Sequence, residues 1–234
     1  MNSSSRSVSR RSVLALIAMP AFTSPGFAHS LAELSQEFVT EEKYFQPVDA
    51  EAPGFILQDA DGHSVSLSDF KGKVVVLHFI YTNCPDFCPL HAEKIAEIQK
   101  MVNITPMKTM VEFISVTTDP SHDRGQVLKD FGSNHGLDPV NWVFLTSAPE
   151  APEDSTRALA KSYGAEFKVM SNGDQMHGVV TSVIRADGHL VARFHSLKFE
   201  NLNLVIFVNA LINDHHHAEQ ATPSLWGRIK GWFS

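Results

Sequence analysis

The only two cysteines of the 234-residue chain, Cys84 and Cys88, lie four residues apart in the stretch FIYTNCPDFCPLHAEKI. Two thiols at this spacing can act as a disulfide redox couple or as two ligands of a soft metal ion. Two cysteines are too few for a disulfide-stapled scaffold, and too few for a structural zinc site built from four thiolates. The pair therefore predicts a local role, either in redox chemistry or in metal binding.

A metal site at this pair would need at least one further ligand. Soft thiolates favour Cu(I) or Zn(II), and an added imidazole gives a mixed sulfur and nitrogen set that also holds Cu(II). Among the 12 histidines, two are candidates because of their positions. His91 follows Cys88 by one helical turn, and His177 directly precedes the apolar run VVTSVI. The choice between them depends on the fold.

Runs of β-branched residues alternate with helical patterns along residues 51–212. The run VVVLHFIY is apolar on both faces, which is typical of a buried central strand. The cysteines follow it, and then a helix with an apolar face is predicted. Further strand and helix patterns come next, ending in two strands about Asp187-Gly188 and an apolar helix from about Lys198 to Ile212. With the hairpin pattern around Asp61-Gly62, this order predicts an α/β fold, a thioredoxin-like three-layer sandwich with a central mixed sheet and an N-terminal hairpin.

In that fold the cysteines occupy the turn between a strand and the start of a helix. Backbone N–H groups and the helix dipole stabilise a thiolate there, so we expect both cysteines to ionise easily. If Cys88 opens the helix and Cys84 precedes it, both sulfurs can face one point. The loop before VVTSVI passes beside this turn in a thioredoxin-like fold, which favours His177 over His91, whose side chain should point along the helix.

The stretch YTNCPDFCP closely resembles the YTxCPxxCP signature of the Sco/SenC family of copper proteins. The stretches FISVTTDPSHDRGQVLKDFG and WVFLTSAPE follow in the family's order, so the resemblance covers about residues 55–212. It implies that Cys84, Cys88 and His177 bind copper, as Cu(I), Cu(II) or both. The chain departs from the family at Met176 and Gly178, where Asp and Ser or Thr usually flank the ligand histidine.

The resemblance also implies a function. It predicts a copper chaperone that delivers copper to a cytochrome c oxidase subunit, maturing its CuA site, or to another periplasmic copper protein. The alternative is a thiol-disulfide oxidoreductase that reduces the cysteines of a copper acceptor, with Cys84 and Cys88 as the redox-active pair.

The remaining segments suggest where the protein acts. Arg10 and Arg11 precede an apolar run, so residues 1–28 resemble a twin-arginine export signal and predict a periplasmic location.

Residues 29–50 are polar without a clear period and are interpreted as a linker or arm. The formal net charge of -7 argues against nucleic-acid binding, which requires a basic face.

Residues 213–234 are interpreted as a separate tail. His215, His216 and His217 can collect a divalent metal ion weakly, although a solvated polar tail explains them equally well. Five apolar residues then share one helical face: Leu225, Trp226, Ile229, Trp232 and Phe233. This short amphipathic helix either contacts a membrane surface or folds back onto the domain.

Overall fold

The computed structural model describes residues 31–169 and 175–221, with the backbone alone for residues 168–169, 175–177 and 215–221. The predicted export signal and the apolar face beyond residue 221 lie outside the described residues. Within the described ranges, no helix combines the length and the apolar character that crossing a membrane requires.

The β-strands are short, and most of them fall where the sequence pattern predicts them. They are β1 (Phe45–Glu51), β2 (Ile56–Gln58), β3 (Ser64–Ser66), β4 (Val74–Ile80), β5 (Val111–Thr117), β6 (Trp142–Leu145), β7 (Phe167–Val169), β8 (Gln175–His177), β9 (Val180–Ile184) and β10 (His189–His195).

Six of these strands form one mixed sheet in the order β1-β10-β9-β4-β5-β6. Strand β4 is parallel to β5 and antiparallel to β9, so it lies at the centre of the sheet. All seven residues of β4 are buried, as the apolar run predicts. The predicted N-terminal hairpin is also present, because β2 and β3 pair in antiparallel register from Ile56 opposite Ser66.

In the part of the chain that the structure describes, five α-helices accompany the sheet: α1 (Leu31–Glu41), α2 (Phe87–Asn103), α3 (Gln126–Asn134), α4 (Ser155–Ser162) and α5 (Asn201–Ala221). Alternate residues of β4 belong to different apolar cores. Val74, Val76 and Ile80 pack in a core with residues of α1, α2, α3 and α5. Val75, Leu77 and Phe79 pack in a second core with residues of α4 and the β2–β3 hairpin. The predicted three-layer α/β sandwich is therefore confirmed.

The interpretation of residues 29–50 as a linker or arm is wrong for residues 31–50, which are part of the domain. Helix α1 buries Leu34 and Phe38, and β1 pairs with β10 at the edge of the main sheet. The ring of Phe45 lies 5.3 Å from the rings of Phe194 and Phe207. Long-range aromatic packing, rather than local propensity, orders this segment.

The last helix also differs from the sequence prediction. It ends at Ala221 rather than near Ile212, so the backbone of His215, His216 and His217 is helical. The tail that the sequence predicts from residue 213 therefore begins inside α5.

Candidate metal centre

The cysteines lie where the central strand β4 turns into α2. Helix α2 begins at Phe87 behind the N-cap residue Asp86, so Cys88 is its second residue and Cys84 lies in the preceding turn. Pro89 follows in the first turn, where a missing backbone N–H removes no intrahelical hydrogen bond. This is the strand, turn and helix arrangement that the sequence predicts.

The turn brings the two sulfur atoms into one small region. The backbone N–H of Cys88 donates to Sγ of Cys84 over 3.4 Å. The N–H of Tyr81 donates to Sγ of Cys88 over 3.5 Å. Neither cysteine forms a disulfide, and the exposed fractions are 6% for Cys84 and 0% for Cys88. Two neighbouring thiols in a nearly dry turn suit either a shared soft ion or a disulfide.

The expectation that both cysteines ionise easily is wrong for Cys88. Burial raises the pKa of its thiol far above the ordinary value, and its hydrogen bond with Cys84 raises the pKa further. The helix dipole offers about 1 kcal/mol at such a site, which a desolvation cost of several kcal/mol outweighs. In the metal-free protein, Cys88 is therefore a thiol, and a metal ion must displace its proton to bind.

His177 is the last residue of β8, where it pairs with Phe167 of β7. Gly178 and Val179 then connect it to β9, the strand beside β4. The N–H of Gly178 donates to the carbonyl of Glu166 over 3.3 Å, and the carbonyl of Val179 accepts from Ser196 over 2.8 Å. The side chain of His177 is outside the description, so its role as a ligand stays a prediction.

His91 is fully buried in α2, and its Nε2 lies 2.8 Å from Oγ1 of Thr181 in β9. This nitrogen is therefore engaged with the sheet. His91 contacts the sheet beneath the cysteine turn, rather than pointing along the helix as the sequence suggested.

Asp123 stabilises the start of the cysteine turn, although no sequence pattern identified it as a residue of the site. Its buried carboxylate accepts a 2.9 Å hydrogen bond from the N–H of Thr82 and a further one from the Thr82 hydroxyl. Thr117 and His122 also bond it, over 2.5 and 2.8 Å. Asp123 thus joins the end of β5 to the residues that lead into Cys84, and its carboxylate raises the pKa of His122.

A groove of about 790 Å³ opens beside the cysteine turn. Phe87, which directly precedes Cys88, lines one side and is 52% exposed. Gly178 and Val179, which directly follow His177, line another part of it. The groove therefore borders two of the three predicted ligand positions.

Curated relatives share much of this chain. It is 32% identical over 153 residues to the SCO1 protein homolog of Bacillus subtilis, a match that covers 65% of this chain and 77% of that protein. It is 27% identical over 150 residues to the mitochondrial protein SCO2 homolog of Danio rerio, covering 62% of this chain and 51% of that protein.

Solved structures resemble the fold over nearly their whole length. BsSco, a member of the Sco family of cytochrome c oxidase assembly proteins with a disulfide switch, is 27% identical with a TM-score of 0.63, covering 71% of this chain and 96% of that chain. Bradyrhizobium japonicum ScoI with copper bound is 26% identical with a TM-score of 0.55, covering 68% of this chain and 98% of that chain.

The family model described as SCO1/SenC matches residues 45–205, which runs from β1 into α5 and includes both cysteines and His177. Because this match spans well over half of the sequence, the chain belongs to the SCO1/SenC family.

Proposed function

We propose that this protein binds one copper ion through Cys84, Cys88 and His177 and delivers it to an acceptor protein. The observation that supports the proposal most directly is that the reduced thiols of Cys84 and Cys88 lie next to each other at the start of α2. Thiolates are ligands that Cu(I) prefers, and an imidazole would complete a set that also accepts Cu(II). The related ScoI structure with copper bound supports the same cargo.

The acceptor that we propose is a cytochrome c oxidase subunit whose CuA site is being built, or another periplasmic copper protein. The description of BsSco as a member of a family of cytochrome c oxidase assembly proteins supports this choice. Transfer would proceed by ligand exchange, in which acceptor side chains replace Cys84, Cys88 and His177 one at a time. The groove lined by Phe87 borders the turn, whereas the two cysteines themselves are buried.

Copper titration of the reduced protein tests the ligand set. The wild-type protein should bind one equivalent of Cu(I) in competition with a chelator, whereas Cys84→Ser and His177→Ala should lose tight binding. His189→Ala is the matched control, because His189 lies at the start of β10 with its side chain 41% exposed and is not one of the predicted ligands. Full copper stoichiometry in His177→Ala would contradict the ligand assignment.

A thiol-disulfide oxidoreductase is the second candidate, and the disulfide switch of BsSco favours it. In that reaction the thiols of Cys84 and Cys88 give two electrons and two protons to a disulfide of the acceptor. The acceptor gains two thiols while the protein forms the Cys84–Cys88 disulfide. His177→Ala should leave this exchange nearly intact, so a wild-type protein that exchanges disulfides but binds no copper would support this function instead.

The proposed location is the periplasm, on the basis of Arg10 and Arg11 and the apolar run that follows them. Fractionation of cells that express the protein should recover it in the periplasm. Replacing both arginines by lysine should retain it in the cytoplasm if the twin-arginine route is used, and unchanged export would contradict that route.

We also propose that the segment after Pro223 contacts a membrane surface, with Trp226 and Trp232 on its apolar face. Sedimentation with anionic vesicles compares the full chain with a chain that ends at Thr222. Loss of vesicle binding in the shorter chain is the expected result, and equal binding of the two chains would contradict the proposal.

A further inference from the structure

Two histidines that the proposed ligand set does not use lie in contact, with their rings tilted, beneath the cysteine turn. His78 of β4 and His91 of α2 are both 0% exposed, and their ring centroids are 4.7 Å apart. Imidazoles are rarely buried so completely, and the nitrogen atoms of buried imidazoles are usually hydrogen-bonded. The hydrogen bonds of these rings therefore indicate what they do.

His78 is held by a hydrogen bond to the neighbouring strand β5. The indole N–H of Trp142 can only donate, and it donates to Oγ of Ser115 over 2.9 Å. The hydroxyl hydrogen of Ser115 is then available for Nε2 of His78, 3.1 Å away. These bonds hold the imidazole of His78 in place, so that it offers His91 a fixed ring surface.

His91 reaches across from the helix to the sheet. Its Nε2 lies 2.8 Å from Oγ1 of Thr181, which faces His78 in the antiparallel pairing of β4 and β9. His91 therefore contacts two adjacent strands at once, through a tilted ring contact with His78 of β4 and a hydrogen bond with Thr181 of β9. This contact sets the distance between α2 and the sheet at the position of His91.

The same contact links two of the predicted copper ligands. His91 follows Cys88 by three residues, which places the two on the same face of α2. Thr181 follows His177 by four residues, and the backbone between them is held by the bonds of Gly178 and Val179. If α2 moves relative to Thr181, the distance between Cys88 and His177 therefore changes as well.

We propose that His91 is a positioning residue, which sets this separation through its bond to Thr181 and thereby tunes copper affinity. The inference rests on the proposed function, because it assigns His91 a role in the site formed by Cys84, Cys88 and His177. His91 acts through the helix and the strand and is not itself a ligand.

The test compares variants of reduced protein titrated with Cu(II), read by affinity and by the electronic spectrum of the bound ion. His91→Leu and Thr181→Val each remove the hydrogen bond from one side, and Val is nearly isosteric with Thr. Each should weaken Cu(II) binding by about tenfold and shift the sulfur-to-copper band, since outer partners of metal ligands have effects of this size. His91→Gln retains a group that can bond Thr181 and should restore most of the affinity.

Gln99→Leu is the matched control on the same helix. Gln99 is 1% exposed, and its amide donates to the carbonyl of Asp138 and to Asn141, each over 2.8 Å. Its loss should destabilise the fold without changing the copper spectrum, because these bonds do not involve β9.

Three outcomes would overturn the inference. Wild-type affinity and spectrum in both His91→Leu and Thr181→Val would show that the bond does not position the ligands. An equal spectral shift in Gln99→Leu would show a general effect of destabilisation. Loss of binding in His91→Leu alone, with Thr181→Val unaffected, would make His91 a ligand. Failure of the wild-type protein to bind any copper would instead overturn the proposed function.

Discussion

His78 should make the folded protein less stable as the pH falls below neutral. Burial lowers the pKa of this imidazole from 6.5 to about 3. His91, Ser115 and Thr181 face it from α2, β5 and β9, and none of these side chains carries a negative charge that would favour protonation. Below pH 6.5 the unfolded chain therefore takes up a proton at His78 that the folded protein excludes.

The sign follows from this difference in bound protons. Because the folded pKa is depressed, the stabilising contribution is complete above pH 6.5 and is lost between pH 6.5 and about 3. Each pH unit in this window costs about 1.4 kcal/mol of unfolding free energy, so about 3 kcal/mol is lost at about pH 4.5.

The assay is urea unfolding of reduced, metal-free protein at about pH 7 and about pH 4.5, comparing wild type with His78→Gln. Glutamine does not titrate, and its carbonyl oxygen can accept the hydrogen bond of Ser115. All other titrating groups are common to both proteins and cancel in the comparison. At neutral pH the wild type should be the more stable, and acidification should shift the difference by about 3 kcal/mol in favour of the variant. A difference in stability that does not change with pH would refute the reasoning.

Other predictions concern packing and the cysteine turn. In Gly132→Ala the new Cβ would lie 2.2 Å from Cη2 of Trp142, so urea unfolding should show a loss of about 1–3 kcal/mol. Gly54→Ala, which meets nothing within 4 Å, is its control, and equal losses would contradict the steric argument. Phe38→Ala should lower the free energy of unfolding by about 3–5 kcal/mol in the same assay, because Phe38 is buried. No loss would mean that the packing of α1 does not contribute to stability. In Asp123→Asn, an amide N–H₂ group replaces one carboxylate oxygen and faces hydrogen-bond donors, which should lower the free energy of unfolding by about 1–3 kcal/mol. Wild-type stability in this variant would contradict the role of Asp123 in the turn.

Much of the fold could be predicted because its central elements have strong local patterns. The buried strand β4 is a continuous apolar run, and α2 repeats Ile95, Ile98 and Val102 on one buried face. The segment of α1 and β1 lacks such a pattern. It is ordered by contacts of Phe38 and Phe45 with Phe207, more than 150 residues later in the chain. Contacts over that sequence distance leave no local period to recognise.

The candidate site was predictable to a different extent. The place of Cys84 and Cys88 in the turn between a strand and a helix follows from local sequence, and this position is confirmed. The raised pKa of Cys88 could not be predicted. The sequence indicates where the helix starts, but it does not show how deeply the thiol is buried, and burial is the main cause of the raised pKa. The role of Asp123 was equally hidden, since its partner Thr82 lies 41 residues earlier.

The complete burial of Cys88 has a kinetic consequence. A reagent in bulk solvent cannot touch a sulfur atom with zero exposure, so it must wait for the turn to open. When closing is slow relative to reaction, the observed rate becomes independent of reagent concentration and equals the opening rate. The lifetime of an ion held by this sulfur is then governed by a motion of the polypeptide, and can be long even where the equilibrium affinity is modest.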